Sequence, residues 1–384
     1  MSQTKVEAPF VEGVGGGFKN VIINGDMQIF QRATSATTLP SSGYSTVDRF
    51  GFSEGSGGAA TSELDNLSVA DQATTGQVRA LELNCTSADT SIAASDRSYI
   101  FYNIEAQDCR RFLYGTSAAK TLTLSFWVKS NLTGNFPLTV KKDDNTVYYL
   151  PLSYSISSAN TWEKKTITWT PTEGSTSLIT ASGGAINNDN GRGFQIFWGL
   201  MWGSNYTGSQ SGTPTWTSTA DFADSDISFV NFYSSTSNNL YITGVQLEVG
   251  DAASDFEHLP HSVQLQRCQR YYEKSYNLSV TPGTSTTYEG TTLAEVIADG
   301  TTTRIKMLDS KFLVRKRSAP TLTIYTSDGG ASGEINNYSS GADKTISSIG
   351  NTSETNLGRY MTMTDAGATN ETYEFQYQAD AEIG

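Results

Sequence analysis

Residues 122–130, LTLSFWVKS, put Leu122, Leu124, Phe126 and Val128 on one side of an extended chain and Thr123, Ser125, Trp127 and Lys129 on the other. That period of two, carried by β-branched and aromatic residues, is the pattern of a half-buried strand; a helix would scatter the same apolar residues around its circumference. WEKKTITWT (162–170), which stops at Pro171, reads the same way. So does NLYITGVQLEVG (239–250), where alternation sets Leu240, Ile242, Gly244 and Gln246 against Tyr241, Thr243, Val245 and Leu247. Turn sequences such as Asn131-Leu132-Thr133-Gly134 and Asp143-Asp144-Asn145 separate the runs. Short strands divided by Gly, Ser and Asn loops predict an all-β chain whose main part, residues 20–258, is a two-sheet antiparallel sandwich.

Composition points the same way. Charged residues make up 17% of the chain, against about 25% in an average domain, and Ser, Thr, Asn and 35 Gly fill the difference. Turn-rich β structure fits that balance, whereas amphipathic helices favour Ala, Leu, Glu and Lys. LPHSVQLQRCQRYYEKS (259–275) is the one strong helical candidate: Leu265, Cys268 and Tyr272 fall at i, i+3 and i+7, and Pro260 suits a helix start. It reads as a connecting helix, either a brace on the sandwich or a hinge. Strand texture resumes in TRIKML, APTLTIYT and YEFQYQADAEI, which predicts a second, smaller β domain over 276–384. Residues 1–19 form a Gly-rich arm, read either as a flexible terminus or as an attachment peptide. No repeat of 20–50 residues suggests a solenoid.

With 26 Lys and Arg against 39 Asp and Glu, the net charge of −13 opposes nucleic acid and anionic membranes. The cluster Lys311, Arg315, Lys316 and Arg317 reads as a solvated face. Cys85, Cys109 and Cys268 give neither a disulfide framework nor a metal pair, and a reducing cytoplasm is expected. The N-terminal MSQTKVEAPF lacks the apolar core of a signal peptide, and the longest apolar run, FQIFWGLMW (194–202), is about half a membrane helix. A soluble chain without membrane insertion is expected. NVIINGDMQIFQR (20–32) reads as the first strand of the sandwich with a turn at Asn24-Gly25-Asp26, and Asp26 and Arg32 are expected to be structural.

In order along the chain stand NVIINGDMQIFQR, STVDRF (45–50), LTLSFWVKS, the Thr161-Trp162 pair, ITGVQLEVGDAASDFEHLP, QRCQRYYEKS and QYQADAEI. Together they resemble bacteriophage tail-fibre and related virion proteins whose sandwich is similar to carbohydrate-binding modules. The resemblance implies a jelly-roll sandwich, a helix around CQRYY, a terminal β domain and a homotrimer on the virion, assembled in the bacterial host cytoplasm. It implies a tail fibre that binds a host surface glycan, with the arm docking on other tail or capsid proteins. A capsid-decorating or head-fibre protein and a polysaccharide-degrading tail spike are the alternatives. Modules of this shape often hold a structural calcium through a carboxylate in the closing strand, where this chain has Ile242-Thr243-Gly244-Val245.

Sugar recognition needs an aromatic face for the apolar side of the ring and planar polar groups for the hydroxyls. The densest such stretch is WGLMWGSNYTGSQSGTPTW (198–216). Trp198 and Trp202 lie in the apolar run and read first as core, with Trp202 kept as a candidate. Tyr206 and Trp216, among Gly, Ser and Pro, are read as ligand or trimer contacts, with Asn205 and Gln210 as polar partners. YEKSY (272–276), placed on the helix, reads as core or interface.

No cofactor is expected. His258 and His261 lack a third ligand, and DFADSD (221–226) lacks the glycine and distal Glu of a calcium loop, so it reads as a solvated acidic loop. No G-x-S-x-G, H-E-x-x-H or P-loop is present, and no enzyme is expected.

Overall fold

The computed structural model describes residues 18–33, 35–174, 178–286, 290–296, 304–307, 310–328, 330, 332–364 and 371–384. The expected arm over 1–19 lies, apart from Phe18 and Lys19, outside the described residues. The first strands are β1 (Thr37–Thr38), β2 (Gly43–Tyr44), β3 (Phe50–Gly55), β4 (Ala59–Asn66), β5 (Arg79–Ser87), β6 (Arg97–Glu105) and β7 (Leu122–Ser130). There follow β8 (Gly134–Lys142), β9 (Tyr148–Ile156), β10 (Glu163–Trp169), β11 (Arg192–Trp202), β12 (Thr207–Gly208), β13 (Ala223–Asp224) and β14 (Asn239–Val249). They pair as one sheet in the order β1-β4-β5-β14-β7-β10 and a second in the order β2-β3-β6-β11-β8-β9, with β12-β13 as a small ribbon. Both large sheets are antiparallel throughout, so the expected sandwich is present.

The alternation of β7 becomes packing. Leu122, Leu124, Phe126 and Val128 are fully buried between the sheets, facing Phe136, Leu138, Ile196 and Trp198 of the other layer within one continuous core. Strand β14 keeps the expected alternation only over its first half. The register slips between Thr243 and Gln246, where Gly244 takes φ +61°, and this bulge shifts the phase by one residue. Leu240 and Ile242 point inward before it, Val245 and Leu247 after it. The reading that aligned Gly244 and Gln246 with the inward residues is thereby corrected.

The bulge is also where the chain's opening segment docks. NVIINGDMQIFQR was expected as a strand and forms none; it is a buried irregular segment. The Val245 N–H donates to Gly25 O at 2.8 Å, Asn20 Nδ2 donates to Val245 O at 3.1 Å, and Val21 N–H donates to Leu247 O at 3.0 Å. A Cβ on Gly25 would lie 2.0 Å from Val245 O, so this close approach of two backbones requires glycine. Asn24, at φ 62°, closes the turn with its side chain: Nδ2 donates to Ile29 O and Asp48 O, and Oδ1 accepts from Ile29 N–H. The segment lacks ladder partners, and side-chain amides satisfy its backbone instead.

A short helix α1 (Val69–Thr75) is capped by Ser68, whose hydroxyl accepts from Asp71 N–H, and ends at Gly76 in the left-handed region. The expected connecting helix is α2 (His261–Gln269), shorter than 259–275. Tyr272–Lys274 is instead strand β15, antiparallel to the chain's last strand, which corrects both the helical placement of YEKSY and the assignment of Tyr272 to the helical stripe. Leu265 and Cys268 keep that stripe, packed against Ile23, Ile29, Tyr271 and Ile383.

The second module comprises β15, β16 (Thr292–Val296), β17 (Arg304–Met307), β18 (Thr321–Tyr325), β19 (Glu334–Asn337), β20 (Asp343–Gly350), β21 (Tyr360–Met363) and β22 (Thr372–Asp380). The first half of β22 pairs with β16 on one side and β19 on the other, closing a ring β22-β16-β17-β21-β20-β19 around Ile305, Ile335, Met361, Tyr373 and Phe375. Its second half pairs with β15 and β18. Closure removes the exposed edges that a small open sheet would leave.

Between the two modules lies a buried set of charges. Glu382 accepts from Arg49 Nη1 and, at 3.4 Å, from Arg32 Nη2. Arg32 lies 3.8 Å from the Tyr272 ring centre and 3.7 Å from Asp48, and Arg49 lies 3.4 Å from the Tyr271 ring. Glu105 takes two bonds from Arg270 and one from the Tyr271 hydroxyl. Gln31 bonds Asp48 through backbone and side chain and reaches Tyr272 O at 2.8 Å. Apart from Glu105, which ends β6, these residues belong to NVIINGDMQIFQR, STVDRF, QRCQRYYEKS and QYQADAEI, so four of the sequence motifs meet at one junction.

Candidate functional site

The outer face of the second sheet carries aromatic side chains where outward positions are normally polar. On β6 the residues Ile100 and Tyr102 enter the core, which turns Tyr99 and Phe101 outward; on β11 Ile196 and Trp198 enter it, which turns Phe197 outward. Across the ladder one rung reads Tyr44, Gly51, Phe101, Phe197, Thr139 and Pro151. A neighbouring rung reads Asn103, Gln195, Lys141 and Tyr149. Rings and planar amides therefore alternate along the face at the period of the strands.

Loop 203–231 folds over one half of this face. Phe222 packs on Phe197 with ring centres 5.4 Å apart, on Tyr149 at 5.3 Å and on Trp202 at 4.8 Å. Tyr206 stacks on Phe222 at 5.4 Å and 4°, under the guanidinium of Arg97 at 5.4 Å. Trp202 folds back and stacks on Tyr99 at 5.0 Å and 26°. That fold-back depends on Gly199, because a Cβ there would lie 2.3 Å from Trp202 Nε1. The result is an aromatic shelf. Phe101, Phe197 and Phe222 are its buried floor, and Tyr44, Tyr99, Tyr149, Trp202 and Tyr206 are its partly exposed surface. Lys141 and Arg97 border it, while Gln195 and Asn103 are buried beside it, Asn103 Nδ2 donating to the Tyr44 hydroxyl at 3.1 Å. Such a surface offers flat apolar faces with donors and acceptors at the rim, which is what a sugar ring presents in complement.

Of the five residues expected to contact ligand, Trp202 and Tyr206 lie on the shelf, and Asn205 is exposed at its edge, its N–H held by Ala94 O at 3.0 Å. Trp216 does not join them. It is 1% exposed and packs edge-on against Tyr114 and Phe194, so its reading as a ligand or interface contact is corrected: the loop after Pro214 dives into the sandwich, fixed by Trp216 N–H on Glu173 O and by the Thr217–Tyr149 backbone pair. Gln210 is also buried. It organises its loop, donating its N–H to Asp224 Oδ1 and accepting from Thr215 N–H, and it is corrected likewise. The shelf residues absent from the expectation are Tyr44, Tyr99, Phe101, Tyr149, Phe197 and Phe222. RSYIFYNIE (97–105) held a usable signal, since aromatic residues occupy both phases of one strand.

The charged candidates resolve differently. Lys316 is fully buried against Glu273 at 2.6 Å, Arg317 donates to the carbonyls of Ala381 and Glu382, and Arg315 pairs with Glu354. The expected basic face is thus split: Lys316 and Arg317 are structural contacts, whereas Lys311 and Arg315 stay exposed as expected. The acidic loop is structural too: Asp224 and Asp226 accept bonds from Gln210, Ser209 and Ser211. Among the described residues no group of three His, Cys, Asp or Glu is arranged to hold a metal ion. Near β8 a cation position is filled by protein itself: Lys142 Nζ donates to the carbonyls of Asp144, Thr146 and Gly183 at 2.7, 2.8 and 3.0 Å. Burial draws its pKa down to about 8. Among the described residues no helix is long and apolar enough to cross a membrane.

No protein family profile matches the chain, and no curated protein matches it. Among solved structures, the chain is similar to a protein of Bacteroides thetaiotaomicron VPI-5482 proposed to bind sugar, at 13% identity and a TM-score of 0.33 over 60% of this chain and 100% of that one. It is similar to the enzymatically active domain of tailspike protein 4 of bacteriophage CBA120, at 12% identity and a TM-score of 0.29 over 60% of this chain and 22% of that one. It is also similar to the family 11 carbohydrate-binding module of cellulase Lic26A-Cel5E of Clostridium thermocellum, at 11% identity and a TM-score of 0.29 over 58% and 99%. All three superpositions score well below one half, so the functional reading rests on this chain's own residues.

Proposed function

We propose that this chain is a saccharide-binding structural protein of a bacteriophage virion, a tail fibre that holds a host surface glycan on the aromatic shelf. The observation that carries the binding half is the shelf itself. Five partly exposed rings meet on one side of the sandwich, Tyr44, Tyr99 and Tyr149 from the sheet, Trp202 from the end of β11 and Tyr206 from the loop packed over it, with the cations Arg97 and Lys141 at the border. The virion half rests on the ordered motifs that resemble tail-fibre proteins. A trimer attached through its N-terminal arm would present three shelves together, and the added avidity would make weak single sites sufficient. The shelf presents rings with cations at the border, the groups of a binder.

A glycan microarray probed with the full chain tests the reading. The wild type binds a restricted set of saccharides, and Tyr99→Ala/Trp202→Ala loses at least about tenfold of that signal while keeping its unfolding transition. Equal signal from the variant, or no signal from the wild type, overturns it.

A further inference from the structure

The opposite face of the sandwich carries a second row of rings and polar groups. On the outer side of the first sheet, Glu63 of β4 lies opposite Glu82 of β5, Glu82 opposite Tyr241 of β14, and Tyr241 opposite Lys129 of β7. Trp162, just before β10, extends the row: the Lys129 ammonium lies 4.9 Å from its ring centre and 4.4 Å from that of Tyr241. Trp127 stands on the next rung, opposite Thr243. All but Trp162 are partly exposed.

Trp127 and Tyr241 pack at one edge against Leu67, Ala80 and Trp162, but that packing does not account for the paired carboxylates. Like charges directly opposite on adjacent strands are destabilising. Here Asn84 bridges the two carboxylates, donating to Glu63 Oε1 at 3.1 Å and Glu82 Oε1 at 2.9 Å, and the Tyr241 hydroxyl donates to Glu82 at 2.7 Å. The bridging holds both carboxylates in fixed orientation on an outward face and leaves acceptor positions open on each. Strand spacing places one side chain every ~4.8 Å along the row. That spacing is close to the advance of one sugar ring in an extended polysaccharide, so a chain laid across the strands would meet one group per ring.

We propose that the row Glu63–Glu82–Tyr241–Lys129, with Trp127 beside it, is a second saccharide site, independent of the shelf, that takes a neutral, extended, hydroxyl-rich oligosaccharide. Fixed carboxylates accept pairs of sugar hydroxyls, Trp127 supplies a ring face, and Tyr241, whose ring carries the Lys129 ammonium, holds Glu82 in place through its hydroxyl. Charge sets the class: Glu63, Glu82 and Asp65 share this side, and Lys129 is already engaged by two rings and by Asp71 at 3.7 Å. An acidic sugar is therefore repelled here, whereas the shelf has Arg97 and Lys141 at its border. One protomer would then hold two glycan strands on opposite faces.

The full chain labelled at its six tryptophan indoles separates the two sites, since Trp202 reports the shelf and Trp127 the second row. With cellohexaose as probe, the Trp127 indole signal shifts saturably, and a galacturonic acid hexamer leaves it still. Tyr241→Ala weakens the cellohexaose response at least tenfold. Glu82→Gln, which keeps shape and fold, weakens it severalfold. A Trp127 signal unmoved by cellohexaose, moved more by the acidic hexamer, or unchanged in affinity in Glu82→Gln overturns the proposal. A shift at Trp202 alone supports the shelf and refutes the second site.

Discussion

Replacing Glu382 by Gln removes one charge from the junction with almost no change of shape, and the structure sets the consequence. The Glu382 side chain is 4% exposed, and its partners Arg49 and Arg32 are 1% and 8% exposed. Deleting one partner of a buried pair costs about 3–5 kcal/mol, because the remaining charge stays desolvated. Arg32 would keep Asp380 at 3.2 Å and Asp48 at 3.7 Å, so Arg49 bears most of the loss and the lower end, about 3 kcal/mol, is expected. In urea this moves the unfolding midpoint down by roughly 1 M for a transition of ordinary steepness. Because the pair joins the sandwich to the segment just after the last strand of the second module, the single transition should also separate into two. Adding Arg49→Met should restore part of the loss, since it removes the stranded charge. An unfolding free energy within about 0.5 kcal/mol of wild type, or strictly additive effects in the double variant, would refute the view that these charges lock the modules.

Gly25→Ala should destabilise by about 3 kcal/mol, because its Cβ would lie 2.0 Å from Val245 O and break the docking of the opening segment; chemical denaturation reads this directly. Asp26 is buried beside Gln264, and burial raises its pKa despite nearby His258 and His261. Its contribution to stability is therefore full below the ordinary value of 3.8 and lost as pH rises through the folded value. Asp26→Asn should accordingly exceed wild type in urea midpoint at about pH 7, with the gap closing at about pH 3.5. Trp216→Ala should cost about 3–5 kcal/mol as a core cavity while the folded protein still binds glycan, whereas Trp202→Ala should lose binding at a smaller stability cost; paired denaturation and array measurements distinguish the two.

Much of the fold was legible because β7 and β10 alternate without interruption, and a core face follows from such a pattern. β14 was legible only to Thr243, since a bulge adds a residue that no local periodicity announces; Gly244 was the sole hint. NVIINGDMQIFQR misled for a related reason. Its apolar residues are buried, but the bonds that satisfy its backbone come from Asn20 and Asn24 side chains and from distant groups such as Leu247, Glu257 and Gln264, up to 240 residues away. α2 stops early because Tyr271 and Tyr272 are needed as flat partners for Arg49 and Arg32, a tertiary demand invisible in a helical stripe. At the shelf, Trp202 and Tyr206 were found from density of aromatics, and Trp216 was misplaced by the same criterion, because Gly, Ser and Pro neighbours do not show where a loop turns inward. Tyr99 and Phe101 were missed although their strand is aromatic in both phases. α1 carried a readable cap in Ser68 and Asp71.

The indole spectrum of the full chain, titrated with the strongest saccharide from the array, tests the shelf most directly. The account predicts that the Trp202 signal shifts saturably while those of the core residues Trp169, Trp198 and Trp216 stay fixed. Movement of the core signals without Trp202, or no movement at any indole while the saccharide binds, would contradict it.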